Sequence, residues 1–337
     1  MNALWKNLLI GGFLAAFVIL LGFFNATKPR ILVLHSAAPE SAWAQQIDRG
    51  MKQALDRNRR PLSVERFYLG LDSPAAVGSR GETQAQARRA IARLNPDMLI
   101  AVDDEANALV ARQFVGRERP RILYVSLNRP PAEFGYAGAA NVSGIAEHLP
   151  LGAIRDAVGA MFPGRNPRVH VLGVVGETGR AEMKEAMAFD WEPLQLGETA
   201  LVSRAAEWHD FVKRTGAEDI LLLLGTKDLP DENGVMTAAE INRWTEENAP
   251  ALPIGVQVDF VADGGGLSFS PPPDDFGERA IELALDWLDE RATPGAPPPV
   301  VSDHFEVAVR RSRMTERGIA LPPIYTEAAR ENGTLFR

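Results

Sequence analysis

The apolar run LIAV at 99–102 stops on three carboxylates, Asp103, Asp104 and Glu105. Acids at such a point can accept the free N–H groups of a following helix, or they can hold an amine or a set of sugar hydroxyls. Similar polar residues recur at the ends of other apolar runs: Ser36 with Trp43 just beyond it, Ser126 and Asn128, Glu177 and Thr178, Asp228, and Asp259, with Glu147 at a predicted crossover. Hydroxyls, an amide, an indole and several carboxylates form a candidate ligand-binding set. Acids outnumber bases in it, which favours a cation or a polyhydroxyl compound over a phosphate.

Each of these residues also has a plainer use. One of Asp103 and Asp104 can cap the helix that follows them, and Glu177 or Thr178 can do the same near Gly179. Trp43 stands at helical spacing from Ile47 and Met51, which suits core packing as well as a stacking wall. Glu147 fits a solvated hinge position, and Asp228 and Asp259 fit solvated loops.

Enzymatic signatures are missing from the sequence. No G-x-x-x-x-G-K-[ST], G-x-G-x-x-G after a strand, or G-x-S-x-G elbow occurs. The five histidines, at 35, 148, 170, 209 and 304, have neither H-x-x-x-H nor H-E-x-x-H spacing. The absence of cysteine removes disulfides, thiolate nucleophiles and cysteine-ligated metals. A non-enzymatic binding role with no cofactor is the expectation. A net charge of −8 with no dense Lys/Arg stripe argues against nucleic acid as a partner.

The elements that must position the polar set alternate between short apolar runs and amphipathic stretches, as βαβ units of a mostly parallel sheet do. Strands are predicted at 30–36, 63–69, 97–102, 121–127, 168–175, 219–225 and 253–258. Helices are predicted at 40–57, 82–94, 104–115, 150–161, 179–188, 205–214, 237–247 and 275–291. In such sheets the ligand crevice forms where strands end, which is why the strand-end residues were collected. A proline-rich connector, ATPGAPPPV at 292–300, precedes the short strand FEVAV and a tail. At 337 residues the chain suits about two domains.

Between Lys6 and Lys28 lie 21 uncharged residues, including LLIGGFLAAFVILLGFF at 8–24. A helix of ~20 apolar residues spans a bilayer core. Cleavage after Ala26 would put Phe24 where a signal peptidase needs a small residue, so an uncleaved anchor is favoured over a removed signal. The expected location is the inner membrane, single-pass, with the part after residue 28 in the periplasm.

The strings LHSAAPESAW (34–43), AVDDEANAL (101–109), YVSLN (124–128), NVSGIAEHLPLGAIRDAV (141–158), GLSFSPPPDDFGERAIELALDWL and ERGIALP (316–322) resemble, in this order, the ABC-transporter-type periplasmic substrate-binding proteins. They are similar also to extracytoplasmic sensor domains of histidine kinases. Relatives carry Trp-Thr after the first strand where this chain has Trp43-Ala44, and Gly-x-Asn where it has Ser126-Leu127-Asn128. The ligand's identity therefore does not carry over.

The resemblance implies an α/β fold of two doubly wound parallel-sheet lobes with a hinge, the type 1 periplasmic-binding architecture. Lobe 1 is expected from 29–143 plus 260–295, lobe 2 from 144–259, and a C-terminal strand and tail at 296–337. It also implies a protein that closes on a small organic solute and presents it to an ABC-type permease. The alternative is an accessory or sensory subunit of a membrane complex that keeps the fold without transport.

Overall fold

The computed structural model describes residues 3–58, 60–71, 80–232, 234–289, 295–302 and 304–337. In chain order the elements are α1 (Ala3–Thr27), β1 (Arg30–His35), α2 (Ala42–Arg57), β2 (Ser63–Tyr68), α3 (Arg80–Leu94), β3 (Met98–Val102), α4 (Asp103–Leu109), β4 (Arg121–Leu127), β5 (Val142–Ala146), α5 (Leu151–Met161), β6 (Arg168–Val174), α6 (Glu177–Ala188), β7 (Gln195–Val202), α7 (Ala205–Arg214) and β8 (Ile220–Leu223). They continue with β9 (Leu229–Asp231), β10 (Gly234–Met236), α8 (Ala238–Asn248), β11 (Leu252–Gly255), α9 (Val258–Ala262), β12 (Leu267–Ser270), α10 (Pro273–Leu288), β13 (Val300–Val301), β14 (Glu306–Arg310), α11 (Arg311–Glu316), α12 (Pro323–Glu331) and β15 (Leu335–Phe336).

The chain divides into two compact units. Unit 1 takes residues 1–125, 134–144 and 277–299; unit 2 takes 126–133, 145–276 and 300–337. The division differs from the boundaries read from sequence at residues 126–133, 260–276 and 300–337, all of which belong to unit 2. For the last two the physical reason is pairing: β12 lies between β11 and β14, so 260–276 and the part of the tail from β14 onward are stitched into the second sheet.

The first sheet has six strands in the order β13-β5-β4-β3-β1-β2. β1 pairs parallel with β2 and β3, β3 with β4, and β5 with β13. Ile31 to Leu34 and all of β3 are buried, which explains why these strands read as unbroken apolar runs rather than alternating ones. Each fully buried Leu or Ile contributes ~1.5–3 kcal/mol. Two glycines permit close approaches: a Cβ on Gly144 would lie 2.3 Å from the Tyr124 carbonyl oxygen, and one on Gly277 2.0 Å from that of Ile47. The first brings β5 against β4, the second seats α10 on the backbone of α2.

The second sheet has seven strands in the order β15-β14-β12-β11-β8-β6-β7, with β14 antiparallel to β12. Residue parity sorts its two faces. Val169, Val171, Ile220 and Leu222 join Ile154, Val158, Met183 and the C-terminal Ala329, while Leu172, Val174, Leu221 and Leu223 join Trp208, Phe211, Ile241 and Phe260. Strands β1 to β5 thus run in the spatial order 2-1-3-4-5, and β6, β7, β8, β11 and β12 repeat that order. A doubly wound sheet of this kind places its binding edge at the strands' carboxyl ends.

The apolar N-terminal segment is helical, with Phe13, Ile19 and Phe23 each about two-thirds exposed or more. Among the described residues, no helix is long and apolar enough to cross a membrane. Helix α4 is also shorter than the 104–115 expected, giving way at Val110 to a 3-10 turn over Ala111–Phe114.

Candidate functional site

In the first sheet His35 lies opposite Val102, and Val102 opposite Val125. Ser36, Asp103 and Ser126 are each the next residue along their chains. The capping role considered for Asp103 or Asp104 is not what the structure shows. Val102 occupies the cap position of α4 and no side chain there accepts a cap hydrogen bond, because the helix starts one residue early, at Asp103. The hydroxyl comes instead from another strand: Ser36 Oγ donates to the Val102 carbonyl at 2.8 Å and accepts the Ala106 N–H at 2.8 Å. Ser36 is a clamp joining β1 to α4, a use that local sequence cannot display.

Asp103 has a positive φ of 65° and accepts the Trp43 indole N–H at 3.0 Å. A non-glycine residue in the left-handed region is strained, and such strain collects at binding sites and switches. Trp43 is half-buried beside the fully buried Ile47 and Met51, so the indole braces the acid while its helix supplies the core. Asp104 is buried at 8 % exposure. Behind these, Asn107 Nδ2 donates to the carbonyls of Ala101 and Asp103, and its Oδ1 takes the Tyr136 hydroxyl at 2.7 Å.

A network missed in the sequence lies beside Ser36. Buried His35 stacks on Tyr68 at 4.9 Å and meets Asp48 through Nε2 at 3.3 Å. Burial raises the Asp48 carboxyl, but donors from His35, Tyr68 and Arg66 outweigh it and hold the pKa down to about 2. Burial and the Asp48 hydrogen bond push Tyr68 up to about 12. The histidine at a strand end was the only sequence signal; Asp48 is one polar residue on an amphipathic helix.

In unit 2, Ser126 also has a positive φ, 56°, and its hydroxyl donates to the Glu147 carboxylate. The Glu147 N–H donates to the Leu127 carbonyl at 3.2 Å, so the exits of β4 and β5 are tied together. Glu182 was not singled out by sequence because it reads as one acid in ETGRAEMKEAMA. It is 6 % exposed, accepts the Gly225 N–H at 3.3 Å, and is pushed up to about 7 by burial first and the Glu147 charge second, with Gly225 and Lys227 opposing.

Glu177 is the first residue of α6 and not a cap; Gly176 holds the cap position and Thr178 follows inside the helix. Glu177 pairs with Arg129 at 3.2 Å, next to Asn128. Arg129, Glu133, Glu177, Arg180 and Lys184 line a cavity of about 290 Å³. Within this cavity three bases stand against two acids. Asp228 accepts the Ala238 N–H at 2.9 Å and so starts α8, and Asp259 sits exposed in the first turn of α9. Among the described residues, no cluster of three or more His, Asp or Glu is suited to a metal ion.

No family model matches the sequence, and no curated protein matches it. Solved structures do. A ligand-free, open form of CD0873, a substrate-binding protein with adhesive properties from Clostridium difficile, aligns with TM-score 0.65 at 14% identity over 87% of this chain and 96% of that one. The chain has the type 1 periplasmic-binding-protein fold. An ABC domain in complex with L-Trp from Streptococcus pneumonia aligns at 0.62 and 15% identity over 90% and 98%. A 5-methylthioribose transporter solute-binding protein from Thermotoga lettingae aligns at 0.52 and 13% over 90% and 92%. The last two hold small organic solutes, L-Trp and 5-methylthioribose.

Proposed function

We propose that the protein is a membrane-anchored extracytoplasmic solute-binding protein that takes a small organic ligand and presents it to an ABC-type permease. The observation that carries this reading is the repeated 2-1-3-4-5 strand order with strained polar residues, Asp103 and Ser126, at strand ends. The likeness to solute-binding proteins with bound L-Trp and 5-methylthioribose supports a small organic solute. In this reading the solute contacts on unit 1 are Trp43, Asp103 and Asp104, and the candidates on unit 2, taken by itself, are Asn128, Glu177 and Thr178. Ser36, Ser126, Glu147, Asp228 and Asp259 shape the elements around it. The acids on unit 1 suit an amine or hydroxyls, in keeping with the expected cationic or polyhydroxyl solute.

The anchor is supported by α1, a 25-residue helix on which large apolar side chains described between Ile10 and Phe23 stand uncovered. Exposed apolar surface on that scale is costly in water and favourable in lipid. The test is a thermal-shift panel of amino acids, amines, nucleosides and sugars on the full chain in detergent micelles. A true ligand at 100 times its Kd stabilises by ~2.7 kcal/mol. Loss of that response in Asp104→Ala and Trp43→Ala supports the assignment, and an unchanged response removes it.

A further inference from the structure

A second cavity, of about 460 Å³, lies in unit 2 where α7, α8 and the β9–β10 hairpin meet. It shares no lining residue with the cavity at Glu177. Its walls include Trp244, His209, Val235, Met236, Asp231 and Glu240. Trp244 is half-buried and stacks against His209 with ring centroids 3.8 Å apart. Lys213, one turn along α7, lies over the same indole at 5.6 Å. Val235 is 64 % exposed, an isolated apolar residue on a short hairpin.

The polar groups are unequally committed. Glu240 is spent in the capping box of α8, where it accepts the Thr237 N–H and hydroxyl, and its charge faces Arg243. Glu247 pairs with Arg313 at 3.5 Å. Asp231 makes no ion pair among the described residues, and its charge acts on His209. His209 Nε2 is buried and has no hydrogen-bond partner. Burial, and then Lys213, hold the imidazole below its ordinary pKa, which favours the neutral ring; its Nδ1–H tautomer presents a lone pair at Nε2. With Asp231, Glu240 and Glu247 against Arg243 in the lining the cavity is net acidic, and an acceptor, a carboxylate outside any ion pair among the described residues and an indole together suit a group with N–H donors, positive charge and a flat surface.

We propose that this cavity binds an alkylguanidinium group, with the guanidinium donating to His209 Nε2 and Asp231 and its stem lying along Val235, Met236 and Trp244. The site stands apart from the solute-binding reading and does not depend on it.

The probe pair is n-butylguanidinium and n-butylurea, which share shape and differ in charge, titrated calorimetrically into the full chain in detergent micelles. Binding of the guanidinium with at least about tenfold preference over the urea is expected, because charge-assisted hydrogen bonds are the stronger kind. Its addition should move the His209 Nε2 nitrogen resonance, and Asp231→Asn should weaken it about tenfold while leaving the melting temperature unchanged. Agmatine and the blocked tripeptide Ac-Gly-Arg-Gly-amide form two further arms. Tighter binding of agmatine identifies a free cation as the occupant, and tighter binding of the peptide identifies an arginine side chain of a partner. Equal affinity for butylguanidinium and butylurea, a stationary His209 signal, or an unaffected Asp231→Asn variant overturns the proposal.

Discussion

Replacing Glu182 by Gln isolates one buried charge. The carboxyl on α6 is 6 % exposed, has one backbone donor at 3.3 Å, and titrates at about 7 instead of 4.5. Because the folded state binds this proton more tightly than the unfolded chain, ionisation costs stability as pH rises from 4.5 through 7, and nothing is lost below 4.5. At ~1.36 kcal/mol per pH unit the full effect is about 3 kcal/mol, reached above pH 7. Gln keeps an acceptor for the Gly225 N–H and carries no charge, so Glu182→Gln and the natural protein should match near pH 5. At pH 8 the variant should be more stable by about 2–3 kcal/mol. Urea unfolding of both proteins at the two pH values gives the difference, and the carbon resonance of the Glu182 carboxyl gives its midpoint directly. A midpoint between 4 and 5, or a variant difference that does not change between the two pH values, refutes the account of this buried acid.

Other consequences are open to the same methods. Asp48 runs the opposite way: its pKa, held at about 2 against an ordinary 3.8, contributes stability that is fully present above 3.8 and lost as pH falls through 2, about 2 kcal/mol in all. Acid unfolding of Asp48→Asn should lack that step, and the variant should be less stable at neutral pH. Gly144→Ala should destabilise by ~1–3 kcal/mol, since the new Cβ meets the Tyr124 carbonyl at 2.3 Å, whereas Gly152→Ala, with nothing within 4 Å, should be neutral or stabilising in a melting experiment. Arg317→Ala should cost ~3–5 kcal/mol, because Glu246, 1 % exposed at its side chain, would be left buried without the guanidinium now 2.6 Å away.

The local pattern was sufficient for several of the buried strands but not for β5, whose VSGIA holds a glycine and a serine. RILVLH, MLIAV, RILYVSL and RVHVLGV are continuous apolar runs, and all four are sheet strands. It was insufficient for β7, whose QLGETALV lies at the sheet edge and keeps its polar residues exposed, and for the four-residue β12, whose partners are supplied from far along the chain. The motif ERGIALP shows a similar split. Its glycine, Gly318, has the positive φ of 68° that a turn at that position suggests, but the role of Arg317 next to it does not show in the string. That guanidinium reaches Glu246 and the carbonyls of Ala249 and Ala251, fastening the C-terminal segment to α8.

The strand-end acids divide along the same line. Sequence by itself determined that polar side chains gather where buried strands stop, since an apolar run must end where the sheet meets water. Only the tertiary structure decided which of them are occupied. Ser36 is consumed by β3 and α4, Ser126 by Glu147, and Asp228 by α8. Asp103 is held in a strained backbone by an indole 60 residues away in sequence. Hydrogen bonds between distant segments are set by how the elements pack, and no local window of residues contains both partners.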